Sequence, residues 1–576
     1  MTISILETLT CLETESLASA IKKMSDKESK YIKGVIAVVN KKGTLVGSFV
    51  DGDLRRIINE KKDLEIPISE YMIKDPIFIN RDDLESNNGY KIVSELENKL
   101  QRNVRNIFLV DEGNLFIGSI SKYELYEKEQ IDNINNCCIL GLGFVGLTVA
   151  SHISSFGIKV YAQDSNHTLI DELSKNETRF DEPGLKNIIK DSVDKGFLEF
   201  VNNPLESDVY IISVGSPISD DGTPDLSQVL SCLDSISKVI AKGALIIIRS
   251  TIPLGSSRDI FVPYFEKITN MKCGDDWHLS FAPERTIEGD ALKELRDLPQ
   301  IVSGYSKKCS KISKKFFDRF CKSVVVVDTL ESAELAKLAC NTFRDLQFSF
   351  ANELSAMCEN YNINTRRLIE QINFDYPRAK IPLPSPGVGG YCLTKDPIIY
   401  SNPINKPTEQ IELGKISRKV NENALRSPNR ALGNFVEKYN LSLSMLNILI
   451  VGIAFKGTPE TNDIRFSTSI DFFNSVKDDV NKIYGFDNCI SQKDLVDIGF
   501  SKDFDVLDIH NYEISAIFYL NNHSRNSDIN LSLWLETNNP KLLYDGWGCR
   551  NDLEFNDIEK FSYTTLGKIN TTYKDS

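Results

Sequence analysis

CCILGLGFVGLTVASHISSFGIKVYAQDSN, from Cys137 to Asn166, decides the fold of the larger part of this chain. An apolar strand runs into Gly141, Gly143 and Gly146, spaced GxGxxG, and a helix opens directly behind them. A second apolar run ends at Asp164, on the order of 20 residues past the first glycine. Glycines in that pattern allow a tight turn and close backbone approach to a pyrophosphate, and the helix N-terminus attracts phosphate charge. A carboxylate at the second strand end accepts hydrogen bonds from both ribose hydroxyls and repels a 2′-phosphate. The stretch therefore predicts a βαβ dinucleotide-binding unit that takes NAD rather than NADP.

More strand-helix units follow. SDVYIISVGSP (Ser207 to Pro217) and GALIIIRSTIPLGSS (Gly243 to Ser257) are apolar strands ending in small polar residues. In a doubly wound sheet, ligands lie beyond the carboxyl ends of the strands, which makes Ser216, Ser250 and Thr251 candidate cofactor neighbours. LSFAPERTIEGDAL (Leu279 to Leu292) places Glu284 and Glu288 just past another strand end, where a glutamate either serves a site or caps a helix in solvent.

At Glu331 the pattern changes. ESAELAKLACNTFRDLQFSFANELSAMCENYNI contains neither Gly nor Pro, and Leu335, Leu338, Phe343, Leu346, Phe350, Leu354 and Met357 recur at helical spacing. Such a helix, about 45 Å long at 1.5 Å per residue, can cross between two domains. Lys337, Asn341 and Arg344 share one face at i, i+4 and i+7. That stripe is either a solvated face or, with a Lys and an Asn aimed at one point, an oxyanion site.

GVGGYCLTKDP, from Gly387 to Pro397, sets Cys392 on a glycine turn with Lys395 and Asp396 close behind. Nearby positive charge favours thiolate, and a carboxylate within reach can orient a water. After about Leu441 a second α/β unit begins with LNILIVGIAFKGTPETNDIRFS, and IYGFDN, AIFYLNNH and KLLYDGWG follow as strands. It lacks GxGxxG, while Lys456 and Arg465 in its first loop suggest a different phosphate.

The first 128 residues contain two similar passages, VIAVVNKKGTLVGSFVDGDLRRII (Val35 to Ile58) and NIFLVDEGNLFIGSISKYELY (Asn106 to Tyr126). Each reads as strand, glycine turn, strand, helix, and EYMIKDPIFI (Glu70 to Ile79) opens the second copy. The chain has 576 residues, with 41% hydrophobic and 26% charged, as in soluble globular proteins. A formal charge of −14 argues against a general nucleic-acid surface. The sequence shows neither a signal-peptide start nor an apolar run long enough to span a membrane, so a cytoplasmic location is expected. The 12 scattered cysteines form no CxxC pair and no metal spacing, so reduced thiols and no metal are expected.

The duplicated N-terminal passages, with the phrase DGDLRR, resemble a CBS-domain pair. Such pairs often bind adenine nucleotides through a Ser/Thr and an Asp. The matching positions here are Val50 with Asp53 and Ser121 with Glu124, neither an intact pair, so a purely structural or dimer-forming role stays open beside a nucleotide site.

GLGFVG, STIP, PERTIEG, AKLACNTF, GVGGYCLTKDP and AFKG…NDIR, in that order, resemble the nucleotide-sugar 6-dehydrogenases of the UDP-glucose/GDP-mannose dehydrogenase family. The resemblance implies an α/β chain of two Rossmann-like doubly wound domains joined by a long central helix, preceded by the α+β CBS pair. Its boundaries are 1–128 for the CBS pair, 135–330 for the NAD-binding domain, 331–435 for the central helical and dimerisation region with the cysteine loop, and 440–576 for the nucleotide-sugar (UDP) domain. It implies two-step oxidation of a sugar C6 alcohol to a carboxylate with NAD, for surface polysaccharide synthesis, by a homodimer or larger homo-oligomer.

By the same resemblance, Cys392 is the nucleophile, Lys337 and Asn341 polarise the oxygen at C6, Glu284 handles protons, and Asp396 supports the cysteine and hydrolytic water. Cofactor contacts fall to Gly141, Gly143, Phe144, Val145, Gly146, Asp164, Ser216, Thr251, Glu288 and Lys395. Substrate contacts fall to Arg344, Arg378, Gly389, Phe455, Lys456 and Arg465. NTFRDLQFSFANEL, YPRAKI and GVGGYC look like the UDP-N-acetylhexosamine branch, although Tyr376 and Tyr391 stand where that branch commonly has histidines. UDP-glucose and GDP-mannose remain alternative substrates. A two-electron alcohol dehydrogenase and a CBS-based sensor or scaffold without turnover remain alternative functions.

Overall fold

Unbroken apolar strands belong in a sheet covered on both faces, and this chain builds two such sheets. A computed structural model describes residues 8–24, 34–59, 63–82, 92–93, 106–121, 134–180, 182–219, 222–361, 363–378, 380–404, 411–536, 539–550 and 560–566. These fall into two units, one of residues 1–134 with 315–322 and one of residues 135–314 with 323–576.

The first unit repeats one pattern twice. Strand β1 (Leu9–Leu12) runs parallel to β2 (Val35–Val39), which pairs antiparallel with β3 (Leu45–Val50). Then β4 (Phe78–Asn80) runs parallel to β5 (Asn106–Asp111), which pairs antiparallel with β6 (Leu115–Ser121). The register shifts at matching places, after Val38 and after Leu109. Both hairpins turn on a glycine with positive φ, Gly43 and Gly113. Ala37 and Leu45 of one copy share a core with Phe108 and Val110 of the other. Asp53 is buried, accepts the Val50 N–H at 3.1 Å and pairs with Arg56 at 2.9 Å, so both carboxylate oxygens are already engaged. Glu124 lies outside the described residues.

In the second unit, β7 (Asn136–Leu140), β8 (Lys159–Gln163), β9 (Leu198–Val201), β10 (Val209–Ile212), β11 (Leu245–Ile248) and β12 (His278–Phe281) are joined by β13 (Gln300–Gly304) and β14 (Val324–Val326). The sheet order is β14-β13-β12-β11-β10-β7-β8-β9. From β9 to β12 all pairs are parallel, with the crossover point beside β7, and β13 is antiparallel to β12. A second, wholly parallel sheet contains β15 (Asn447–Val451), β16 (Lys482–Phe486), β17 (Ile514–Tyr519), β18 (Lys541–Asp545) and β19 (Phe561–Thr565) in the order β16-β15-β17-β18-β19. Among the described residues, no helix is long and apolar enough to cross a membrane.

Between the sheets runs the helix Leu330–Asn360, 31 residues long, with Thr329 as its N-cap. Its faces invert the usual arrangement. Phe343, Phe350 and Met357, seven residues apart, are exposed at 62%, 57% and 56%, while Glu334, Lys337, Asp345, Ser349 and Asn352 are buried. Ser349 bonds back to the Leu346 carbonyl of its own helix, while the charged and amide groups tie the helix to its neighbours. Glu334 accepts the N–H groups of Gly255 (2.6 Å) and Ser257 (3.0 Å). Asp345 accepts from Arg418 at 2.8 Å, Ser417 at 2.7 Å and Asn421 at 2.8 Å, all on the helix Leu413–Ala424. Asn352 donates to Asn421 at 2.9 Å and accepts the Ser385 N–H at 2.9 Å.

Removing one partner of a buried ion pair leaves the other charged and desolvated, at a cost of about 3–5 kcal/mol. Asp345→Ala is therefore expected to destabilise the second unit by about 3 kcal/mol or more. Denaturant unfolding of the full chain would show it, and an unchanged midpoint would refute the assignment.

Candidate active site

The dinucleotide turn shows which glycines the fold itself requires. A Cβ on Gly141, whose φ is +92°, would sit 2.8 Å from Val214 Cγ1, and a Cβ on Gly146 would overlap the Gly141 carbonyl. A Cβ on Gly143 meets nothing within 4 Å, which leaves open space at the start of the helix Phe144–Ser155. Phe144 packs edge-on against Phe180, with centroids 5.1 Å apart, and Val145 is half-buried beside it. Asp164 accepts the N–H groups of Leu142 (2.7 Å) and Asn166 (2.8 Å), which fixes the carboxylate at the strand end with lone pairs to spare. Ser250 is engaged inside the sheet, donating to the Val214 carbonyl at 2.8 Å. Ser216 differs: its hydroxyl is buried and finds no partner among the described residues. A buried orphan hydroxyl just past β10, the strand paired with β7, is what a ligand would satisfy. Thr251 follows Ser250 and is half-buried.

The reactive side chains gather in a cavity of about 400 Å³. Glu284, Lys337, Asn341 and Cys392 line it together with Glu288, Arg344, Gly389, Phe455 and Lys456. Cys392 lies in the first turn of the helix Tyr391–Tyr400, whose N-cap is Gly390, so the helix dipole favours negative charge on its sulfur. The glycines before it are there for packing. A Cβ on Gly390 would lie 2.7 Å from the Phe455 ring, and one on Gly389 would overlap the Phe466 carbonyl. That carbonyl also accepts the Gly390 N–H at 3.0 Å. Gly389 and Gly390 thus admit the close approach of the C-terminal domain, and both also line the cavity.

Lys337 donates to the Glu284 carbonyl at 2.8 Å and keeps further N–H donors for the cavity. Asn341 donates to Asp396 at 2.6 Å, and Lys395 pairs with the other Asp396 oxygen at 2.9 Å. Asp396 is fully buried and absent from the cavity lining. It reaches the cavity through Asn341, which it bonds and which does line it. Lys395, expected at the cofactor, is engaged by Asp396 and by the face of Tyr391, 4.9 Å away. Glu288, also expected at the cofactor, lines this cavity. It accepts from Thr461 at 3.2 Å and lies 3.5 Å from Arg465, while its carbonyl accepts from Lys456 at 2.7 Å. Burial and the neighbouring Asp463 push the Glu288 carboxyl upward, against the pull of Arg465 and Lys456. Arg465 pairs with Asp463 at 2.6 Å and lies over the Tyr391 ring. Arg378 stands outside the lining, exposed and bonded to the Tyr376 hydroxyl at 3.1 Å.

Burial raises Glu284's affinity for a proton, but Arg249 and Lys337 outweigh it and hold the carboxyl below its ordinary value. Cys392 goes the other way. Desolvation among the cavity walls pushes the thiol up, Lys337 and Lys395 pull it down, and Asp396 and Glu288 oppose them. Cys392 is nonetheless exposed as a residue and lines the cavity. Sequence reasoning missed Arg249, which anchors Glu284, and Cys340, which lines the same cavity. The signal for Arg249 was present: a cation directly after the buried run Leu245 to Ile248 must have a partner.

Residues 135–321 match the UDP-glucose/GDP-mannose dehydrogenase family NAD-binding domain, residues 331–423 match its central domain, and residues 4–60 match the CBS domain. The UDP-N-acetyl-D-mannosamine dehydrogenase of Campylobacter jejuni is 33% identical over 350 residues, which cover 59% of this chain and 83% of that protein. The chain belongs to the UDP-glucose/GDP-mannose dehydrogenase family. It is an NAD-dependent nucleotide-sugar dehydrogenase with a CBS domain at its N-terminus. The solved UDP-D-ManNAc dehydrogenase from Pyrococcus horikoshii matches with a TM-score of 0.67 at 28% identity, covering 75% of this chain and 99% of that one. A UDP-N-acetyl-mannosamine dehydrogenase from Staphylococcus aureus gives a TM-score of 0.63 at 27% identity, with 75% and 98% covered. In this dehydrogenase the open Gly143 turn, Asp164 and the orphan Ser216 hydroxyl fit NAD.

Because Lys337 is the first charge opposing the rise of the Cys392 thiol, Lys337→Ala is expected to move thiolate formation to higher pH. Alkylation of Cys392 by iodoacetamide, followed by mass spectrometry across pH 6–10, should slow about tenfold at pH 8 in the variant. An unchanged rate profile would show that Lys337 does not act on the thiol.

Proposed function

We propose that this dehydrogenase oxidises the C6 alcohol of a UDP-N-acetylhexosamine, UDP-N-acetyl-D-mannosamine first among them, to the uronic acid by removal of four electrons. The observation that carries the reading is Cys392 at a helix N-terminus, in one cavity with Lys337, Asn341 and Glu284. A two-electron alcohol oxidation needs no thiol. A four-electron oxidation does, because an aldehyde is a poor hydride donor and must first become a tetrahedral adduct.

Bound NAD supplies a hydride acceptor at each two-electron step. The chain's own residues do the remainder. Glu284, held ionised, accepts the alcohol proton through a water. Glu284 passes its proton on to solvent through the water. The Cys392 thiol loses its proton to that water as sulfur bonds to the aldehyde carbon. The C=O π bond breaks, and the resulting thiohemiacetal oxyanion is stabilised by Lys337 and Asn341. Loss of the second hydride from that carbon leaves a thioester on Cys392. A water deprotonated toward Glu284 attacks the thioester, the C–S bond breaks, and the thiolate returns as the carboxylate leaves. Lys456, Phe455 and Arg344 face the nucleotide side of the cavity. The product is the acidic sugar that surface-polysaccharide assembly consumes, and the reaction runs in the cytoplasm.

A second copy of the chain covers the stripe of Phe343, Phe350 and Met357, whose seven-residue spacing is that of a helix-helix seam. Light scattering is expected to give at least a dimer, and Phe343→Glu with Phe350→Glu to give a monomer. A monomeric wild type would refute this assembly.

NADH release across UDP-glucose, UDP-GlcNAc, UDP-GalNAc, UDP-ManNAc and GDP-mannose tests the reaction itself. The expected result is two NADH per sugar with a UDP-N-acetylhexosamine, and at most one from Cys392→Ala. One NADH from the wild type, or two from Cys392→Ala, would end the four-electron reading.

A further inference from the structure

Arg249 follows directly on β11, so its side chain emerges at the carboxyl end of the sheet. It is 3% exposed, and Glu284 is 4% exposed. Its Nε donates to Glu284 Oε2 at 2.9 Å, and a terminal nitrogen donates to the same oxygen. Its other terminal nitrogen donates to the Ala282 carbonyl at 3.3 Å and to Gln300 Oε1 at 3.1 Å. Gln300 is itself fixed, donating to the carbonyls of Ile301 (2.7 Å) and Pro283 (3.2 Å). On the opposite oxygen, Glu284 accepts the Thr286 N–H at 2.6 Å. Thus a continuous chain runs from β13 through Gln300 and Arg249 to the glutamate of the cavity.

Two features of this arrangement exceed what packing requires. A guanidinium beyond a strand end could be solvated, but here four donors are directed inward at fixed acceptors. Both Arg249 contacts also fall on one Glu284 oxygen, leaving the other, bonded only to Thr286, for the cavity. We propose that Arg249 is a positioning residue for the oxidation: it locks Glu284 as an ionised carboxylate, with Oε2 held and Oε1 presented to the reacting water.

The other groups facing Glu284 do not supply this lock. Lys337, from the long helix, gives its observed bond to the Glu284 carbonyl rather than to the carboxylate. Arg285, next in the chain, turns away to the Pro299 carbonyl. Glu288 and Cys392, which share the cavity lining, offer no positive charge. The depressed proton affinity of Glu284 agrees, with Arg249 the foremost of the opposing charges. Without Arg249, burial would push the Glu284 carboxyl upward with Lys337 as the charge left to oppose it.

The sign of the pH dependence follows. A carboxylate depressed in the folded state stabilises it above the ordinary carboxylate range, and this is lost as pH falls. In Arg249→Met the same carboxyl is raised, so the folded state loses ground as pH rises and the unfolded chain ionises.

The inference rests on the proposed role of Glu284, so it is tested by two readouts. The first does not need turnover. Thermal melts of the full chain should show Arg249→Met below wild type by about 5 °C at pH 8 and by less than half of that at pH 5. Adding Glu284→Gln to Arg249→Met should abolish that pH dependence. An equal deficit at both pH values, or a pH dependence that survives Glu284→Gln, overturns the lock. The second readout is the pH profile of NADH release. The ratio of wild-type to Arg249→Met kcat should rise about tenfold from pH 8 to pH 6, with Arg249→Lys restoring most of the wild-type profile. A ratio flat with pH overturns the catalytic part of the inference, even where the melts support the ion pair. If Arg249→Met does not fold, Gln300→Leu, which removes one Arg249 acceptor and leaves Glu284 intact, should shift both readouts the same way by a smaller amount. Wild type without turnover on any nucleotide sugar would remove the proposed function while leaving the melt result to judge Arg249 alone.

Discussion

The inward polar face of the Leu330–Asn360 helix is the constraint on which the second unit depends. A buried carboxylate, ammonium or amide is costly unless partnered, so each such residue fixes the place of something else. Glu334 holds the turn at Gly255, Lys337 holds the segment after β12, Asn341 holds Asp396, and Asp345 holds the helix Leu413–Ala424. The nucleotide-binding sheet, the cysteine helix and the connecting helices therefore share one ruler. An apolar face could have bound the same elements with equal strength, but it would have allowed them to slide.

The cavity balances two opposite proton affinities. Burial pushes both Glu284 and Cys392 toward the protonated form. Arg249 and Lys337 reverse that for the glutamate, whereas for the thiol the lysines only moderate it, and the helix N-terminus adds its partial charge. In the proposed reaction, the site thus combines a ready base with a guarded nucleophile. A sulfur that ionises only with help is protected from unproductive alkylation and oxidation, because thiolate is the reactive form.

Much of this was legible in the residues. The glycine fingerprint, Asp164, the apolar strands and the long helix follow from local spacing, and local spacing is what a backbone obeys first. The grouping of Glu284, Lys337, Asn341 and Cys392 followed from ordered motifs. What failed to show was partnership. Asp396 reads as a carboxylate beside a cysteine, and only the fold reveals that Asn341 and Lys395 engage both its oxygens. The stripe of Lys337 and Asn341 could equally have been a wet surface, and the helical spacing of Phe343, Phe350 and Met357 did not say which way they face, which is outward. Strand β13 carries Gln300, yet nothing in its sequence indicates that it reaches across the sheet to Arg249.

The glycines before Cys392 are occupied by the Phe455 ring and the Phe466 carbonyl, both from the C-terminal domain. The turn that aims the sulfur is thus half built by residues more than sixty positions away, on the domain that carries Lys456. A wedge inserted at that seam, such as a flat inhibitor prising Phe455 from Gly390, would disarm the thiol without touching it. It would also leave the dinucleotide turn, shared by so many other dehydrogenases, alone.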